Sequence, residues 1–455
     1  MSVREIYNSK PDPSPVLRWS VLVLISLAMF GNYYVYDSIA PVADLLVSQL
    51  KFSDSDIGLL QGIYSIPNII MVLIGGIIID RIGTRPSIFL FSVLCFIGSI
   101  VTVATEPLKF YGDFVGGIFG INSELAVMST GRLIFGLGAE SLIVAVTTAL
   151  GKWFKGKELS FAFGINLTIA RLGSFAADNS PTWASSYFTA WDLPLLIAIV
   201  MASLSVLTSI AYWVLDKYAK SNYNLKPESK QDEIKLSEIF SFNKSYWYIV
   251  LLCVTFYSAI FPFRTFAIKF FQDFHGYERE WAGALNSTLI FASMVLTPLF
   301  GLLSDFIGKR SFLMMLGSIL LIPVYLMLVY TPIPPVIPMV MMGISFSLIP
   351  AIMWPSVALI VPEDKLGTAY GVMTLIQNIG LAGFNLLIGW ANDYSGGSAT
   401  NPQGYALGMW IFSSLGFLGF IFAYLLRRSE KSSTGMGLEK SMKQRKAESE
   451  NAAEN

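Results

Sequence analysis

Two charges of opposite sign stand inside apolar runs at matching depth. Glu140 lies twelve residues before Lys152 (152 − 140 = 12), and Arg171 lies thirteen after Glu158 (171 − 158 = 13). Both count from the same polar turn, on what read as adjacent antiparallel helices. At about 1.5 Å per residue, both side chains sit roughly 18–20 Å from that turn, near the middle of a bilayer. A charge there costs about 2.5–3.5 kcal/mol on insertion scales, so its position is informative. The chemistry is that of a two-ended electrostatic clamp, and its use is open to two readings. The two charges pair and lock their helices, or they face a cavity and hold a zwitterion. In the second case Glu140 takes the ammonium, and the planar fork of Arg171 takes the carboxylate bidentately. The readings can alternate, with the pair closed when empty and opened by substrate.

Other side chains belong to the same chemistry. Asp37 lies about twenty residues into the first apolar run, and Arg132 lies twenty before Lys152. Both fall in the outer half, where a structural Asp37–Arg132 pair and a gating or substrate role are equally open. Arg264 sits similarly high, either snorkelling to the interface or facing the cavity. Tyr33, Tyr34, Tyr36 and Trp354 offer rings for stacking, although most aromatics in membrane helices pack or belt the interface. Gln377 and Asn378 can hydrogen-bond a substrate or a neighbouring helix.

The elements that carry these groups are set by composition. Of 455 residues, 54% are hydrophobic and only 14% charged, against about 25% charged in soluble domains. The solvent for most of such a surface is lipid. Twelve apolar runs of spanning length follow, at roughly 17–40, 57–79, 86–104, 125–150, 160–183, 192–215, 246–270, 281–303, 311–330, 335–361, 368–391 and 405–426. With both termini cytoplasmic, the outer loops hold only Lys51, Lys109, Lys269 and Arg279, which satisfies the positive-inside rule. The fold expected is all-α, twelve transmembrane helices in two six-helix halves. Residues 1–16 form an N-terminal cytoplasmic tail, 17–215 the first half, 216–244 a cytoplasmic central loop, 245–427 the second half, and 428–455 a charged tail expected to be disordered.

Several functions are excluded by the same counts. A net charge of zero gives no footing for nucleic acid. A single histidine, His275, rules against a His-based metal site or a catalytic triad, and the two cysteines, Cys95 and Cys253, lie in apolar runs. No enzyme activity, metal or cofactor is expected.

One short motif occurs twice. Gly76-Ile-Ile-Ile-Asp80-Arg81-Ile-Gly83-Thr-Arg85 returns as Gly301-Leu-Leu-Ser-Asp305-Phe-Ile-Gly308-Lys309-Arg310, both G-x3-D-x-x-G-x-R, offset by 225 (305 − 80). A second echo pairs 157–164 with 363–371, offset by 207 (371 − 164). A long outer loop at 105–124 accounts for the difference of eighteen. Two halves repeated in this way imply a duplicated membrane unit. In the hairpins the Asp and basic residues form either a solvated turn or a cytoplasmic latch. The recurrence favours the latch, with Asp80, Arg81, Arg85, Arg132, Asp305 and Arg310 as gating residues.

The hairpin pair and Arg132-x3-Gly136-x-Gly138 resemble the signatures of the major facilitator superfamily. Longer stretches are similar to its lysosomal dipeptide transporter family: Phe30-Gly-Asn-Tyr-Tyr-Val-Tyr-Asp37, Gly131-Arg-Leu-Ile-Phe-Gly-Leu-Gly-Ala-Glu140, Ala170-Arg171-Leu-Gly-Ser174, Phe261-Pro-Phe263 and Trp354-Pro-Ser. The likeness implies a dipeptide uniporter, working by alternating access without an obligatory ion. It implies Glu140 at the peptide amine, Arg171 at the carboxylate, and Tyr36, Asp37, Trp354, Gln377 and Asn378 around them in a central cavity. It also implies a lysosomal membrane, but the N-terminal tail carries no acidic dileucine signal, and a bacterial cytoplasmic membrane fits as well. The partners expected are a dipeptide or similar zwitterion and the bilayer; an accessory subunit is neither required nor excluded. The rival readings are a proton-coupled symporter of a small organic anion or amino acid, and a non-transporting membrane sensor.

Overall fold

A computed structural model describes residues 11–154, 158–225, 242–362, 365–432, 435–441 and 443–444. Outside that description lie the N-terminal tail up to Lys10, most of the central loop (226–241), the acidic pair Glu363 and Asp364, and the tail from Arg445. Helices occupy every expected apolar run. In order they are span one Pro15–Asp37, span two Asp54–Gly62 with Ser65–Ile82, span three Thr84–Val103, span four Ser123–Phe154, span five Leu159–Asp178, span six Asp192–Asn222, span seven Lys244–His275, span eight Arg279–Ile307, span nine Arg310–Tyr330, span ten Val336–Ile360, span eleven Leu366–Ser395 and span twelve Ala406–Glu430. By length and apolarity ten helices among the described residues can cross a membrane, eleven if the pair Asp54–Val72 and Ile74–Ile82, bent by 55°, counts as one span. Leu159–Asp178 fills the twelfth position. A single bridge, Ser398 to Asn401, is the nearest approach to a strand among the described residues.

Local chemistry fixes several helix ends. Ser14 accepts the Leu17 amide and Pro15 sets the first turn of span one. Asn243 does the same for the Tyr246 amide at the start of span seven. In the duplicated hairpins Gly83 and Gly308 have φ of 85° and 69°. A side chain is strained in that left-handed region, which explains glycine at the same place in both copies.

The chain divides into two compact units. The first comprises Met1–Phe52 and Ile63–Gln231, the second Ser53–Gly62 and Asp232–Asn455. In the first unit, close helix crossings rest on missing side chains. A Cβ on Gly31 would stand 2.2 Å from the Met201 carbonyl oxygen, and one on Gly98 would stand 2.4 Å from the Phe135 amide. Small residues here let backbones touch where lipid offers no hydrophobic drive to associate.

The second unit takes in the opening turns of span two. Asp393 accepts the amides of Asp54 (2.8 Å) and Ser55 (2.7 Å), capping that helix from span eleven. Asp54 is also held by Asn392 at 2.9 Å and by Lys269 at 3.1 Å, and Lys269 reaches Asp273 at 3.1 Å. Lys269, which the sequence reading places in an outer segment, is therefore inside span seven, only 6% exposed and surrounded by carboxylates. Arg264 is likewise buried at 3% exposure, so it does not snorkel outward.

Two stretches read as irregular carry structure. The loop at 105–124 contains a helix, Lys109–Phe119, whose Phe110, Phe114 and Ile118 are exposed along one side. In the C-terminal tail, composed like a disordered segment, residues 435–441 fold back onto the second hairpin. The Glu439 carboxylate accepts the Ser311 amide at 3.0 Å and the Ser311 hydroxyl, while its carbonyl accepts the Lys309 amide at 3.0 Å. Leu438 is fully buried beneath, and Glu430 accepts the amides of Met436 and Leu438.

Candidate functional site

Span four presents Arg132, Gly136 and Glu140 one turn apart (136 − 132 = 4; 140 − 136 = 4), so they share one helix face. That face meets the break in span two. A Cβ on Gly136 would lie 2.4 Å from the Tyr64 carbonyl oxygen. Only glycine lets the turn come so near, and the Tyr64 side chain then lies along the stripe between cation and anion. Its hydroxyl donates to Glu140 Oε1 at 3.3 Å. Its ring centre is 5.8 Å from Arg132 Cζ, stands edge-on to Tyr36 at 4.9 Å and tilts against Phe135 at 5.4 Å.

Arg132 is 1% exposed. Its Nη1 donates to the Val35 carbonyl at 3.0 Å and its Nη2 to the Tyr36 carbonyl at 3.2 Å. The last carbonyls of a helix have no partner within it. Arg132 finishes span one together with Ser38, whose hydroxyl donates to the Val35 carbonyl at 2.8 Å, and Asp37, buried at its end, adds electrostatic attraction.

Arg171 is brought to the same region by span five. Two residues on, a Cβ at Gly173 would lie 2.2 Å from the Phe30 carbonyl oxygen, so spans one and five run in backbone contact. Across this seam the Tyr33 hydroxyl interacts electrostatically with Glu140, Arg171 and Asp37 together. The first unit therefore carries Glu140, Arg171, Tyr36 and Asp37, of which Glu140 and Tyr36 both contact Tyr64.

In the second unit Trp354 Nε1 donates to the Tyr257 hydroxyl at 3.0 Å, and the Tyr370 hydroxyl donates to the Trp354 carbonyl at 3.1 Å. Tyr257 stacks on Phe261 at 5.6 Å, extending an aromatic wall. Gln377, on span eleven, accepts a weak hydrogen bond from the Cys253 thiol, and Asn378 donates to Thr374 one turn back in its own helix.

The two hairpins are pinned differently. In the first copy Arg85 pairs with Asp216 at 3.0 Å, which also takes Lys152 at 3.0 Å and the Trp153 indole at 2.9 Å, while Asp80 and Arg81 are exposed. Asp216, read from sequence as the first residue of a solvated loop, is fully buried inside span six. In the second copy Arg310 pairs with Asp305 of the same hairpin and donates to the Lys440 carbonyl.

Tyr64, Asn68, Asp216, Tyr257 and Tyr370 were not singled out from sequence as site residues. Only Asp216 carried a signal, a lone acid at the end of an apolar run with Lys152 and Arg85 at the same membrane face.

Opposite charges buried among long apolar helices, arranged in two units, are the make-up of a multi-pass membrane transporter. The profile of the Major Facilitator Superfamily matches residues 25–384 and 265–448. The lysosomal dipeptide transporter MFSD1 of Bos taurus is 34% identical over 396 residues, 85% of this chain and 82% of its own. The Homo sapiens protein of that name is 33% identical over 433 residues, 92% and 88% of the two chains. Among solved structures, the nucleoside transporter NupG superposes with a TM-score of 0.67 at 13% identity, covering 90% of this chain and 99% of that one. A bacterial homologue of the human lysosomal transporter Spinster, inward-facing and unoccupied, gives 0.67 at 16% identity, covering 92% and 98%. The chain belongs to the Major Facilitator Superfamily and, within it, to the family of the lysosomal dipeptide transporters. It is a multi-pass integral membrane transporter and not an enzyme.

Proposed function

We propose that the protein carries dipeptides as a uniporter, through a lysosomal or equivalent membrane with both termini cytoplasmic. The observation that carries the reading is that a carboxylate, Glu140, and a guanidinium, Arg171, lie in one unit and both within electrostatic range of the Tyr33 hydroxyl. A carboxylate and a guanidinium in one unit fit a molecule charged at both ends, and a dipeptide is what the MFSD1 relatives transport. In this reading Glu140 holds the amine and Arg171 the carboxylate. Tyr36, Asp37, Trp354, Gln377 and Asn378 contact the remainder, with rings accommodating varied side chains. The hairpin residues Asp80, Arg81, Arg85, Asp305 and Arg310, together with Arg132, act in gating.

The test is uptake of labelled dipeptides into proteoliposomes. Uptake proceeds down the dipeptide gradient without an imposed pH difference. Glu140→Gln and Arg171→Ala each lower it by roughly ten- to a hundred-fold, the worth of a charge-assisted hydrogen bond. Unchanged uptake by both variants refutes the site. Uptake that requires a pH gradient replaces uniport with proton symport.

A further inference from the structure

We propose that Tyr64 is the positioning residue of Glu140, fixing the carboxylate oxygen that receives the substrate amine. The inference rests on the reading of Glu140 as the amine site.

Three observations converge on it. First, the Tyr64 hydroxyl has one proton, and the Asn68 side chain hydrogen-bonds the same hydroxyl while Glu140 accepts from it. Asn68 is fully buried and lies one turn further along the same helix (68 − 64 = 4), so this donor does not wander. With its oxygen occupied by Asn68, the hydroxyl directs its proton to Glu140. Second, the ring has no room to turn. Tyr36 meets it edge-on, Phe135 lies against it, and the Arg132 guanidinium lies beside it. Third, the backbone is fixed as well, since the Tyr64 carbonyl rests on the bare Cα of Gly136.

A glutamate side chain loses up to about 2 kcal/mol of rotamer freedom when immobilised. A carboxylate already held by Tyr64 pays less of this when substrate arrives. A carboxylate accepts about four hydrogen bonds, so one spent on Tyr64 leaves capacity for an ammonium. The arrangement also ties the site to span one, because Arg132 holds the Val35 and Tyr36 carbonyls while flanking the same ring. Packing alone explains a ring at position 64. It does not require the hydroxyl.

Tyr64→Phe keeps the ring and removes the hydroxyl. The first measurement is the infrared carboxylate band of Glu140 in the substrate-free protein, assigned by its loss in Glu140→Gln. The band shifts in Tyr64→Phe. An unmoved band overturns the proposal. The second measurement is uptake kinetics for a dipeptide such as Ala-Ala. KM rises about ten-fold while the maximal rate changes far less. On a Glu140→Ala background, which removes the acceptor oxygen altogether, the same substitution adds nothing. An equal rise on both backgrounds marks a packing role and overturns the proposal. Should Tyr64→Phe fail to fold, Asn68→Leu serves instead: the hydroxyl loses its donor and the band shifts less but measurably, and no shift refutes the assignment. A wild-type protein that neither transports nor is thermally stabilised by any dipeptide removes the dipeptide reading, and the infrared measurement still decides the role of Tyr64.

Discussion

At the scale of single residues, charge in an apolar run was the readable signal and hydrogen-bonding rings were not. Glu140, Arg171, Asp37 and Arg132 stood out because ionised groups are rare within membrane helices. Tyr64 and Asn68 did not, since tyrosine and asparagine occur throughout such helices as packing and interhelical contacts. Arg132 shows the limit from the other side. Its presence was evident, but its partners are main-chain carbonyls, which no side-chain pattern reveals. Arg132→Met removes that donor from both carbonyls, although Ser38 still donates to Val35. The variant is expected to lose roughly 1–3 kcal/mol of stability, read as a lowered unfolding midpoint in detergent. Arg132→Lys recovers part of the loss, because an ammonium lacks the planar fork that spans two acceptors. A midpoint equal to wild type in Arg132→Met refutes the capping role.

At the scale of helices, the twelve positions were legible because apolar length is a strong signal. How tightly the helices cross was not. Contact between spans one and six depends on Gly31 facing the Met201 carbonyl, and a glycine in an apolar run has many possible reasons. Gly31→Ala is expected to force those helices apart and cost about 1–3 kcal/mol. Gly98→Ala does the same where span three meets span four. The two sites share no partner, so the double variant should lose the sum of the single effects, measured by thermal unfolding. A markedly smaller combined loss would mean one crossing already relaxes when the other is disturbed. Span two was misread in one respect. Its apolar run is continuous from 57 to 79, yet the helix breaks between Gly62 and Ser65, and that break places the Tyr64 side chain on span four.

For the molecule as a whole, duplication was visible in the two hairpins, but their different fastenings were not. The first copy uses an acid from span six, and the second uses its own Asp305 together with the tail. The Arg85–Asp216 and Arg310–Lys440 pairings join residues more than a hundred positions apart, which a local pattern does not encode. The cluster around Lys269 is another example within the second unit, linking spans two and seven to the Tyr405 hydroxyl at the head of span twelve. Lys269→Met leaves buried Asp54 and half-buried Asp273 without their shared cation. That change is expected to cost about 3–5 kcal/mol. Restoring balance with Lys269→Met and Asp273→Asn together should recover part of the loss in the same denaturation assay. No recovery would show that the lysine acts through packing and not through charge.

The tail that returns to the second hairpin has a practical side. Fluorescent or affinity fusions are commonly joined where the last membrane helix ends, here Glu430. Joined there, a fusion replaces the segment that carries Leu438 and Glu439, and with it the acid seated on the Ser311 amide. A reporter attached beyond Ser441 leaves that segment in its seat. The choice of junction, ordinarily a matter of convenience, thus decides whether an assay observes the second hairpin fastened or bare.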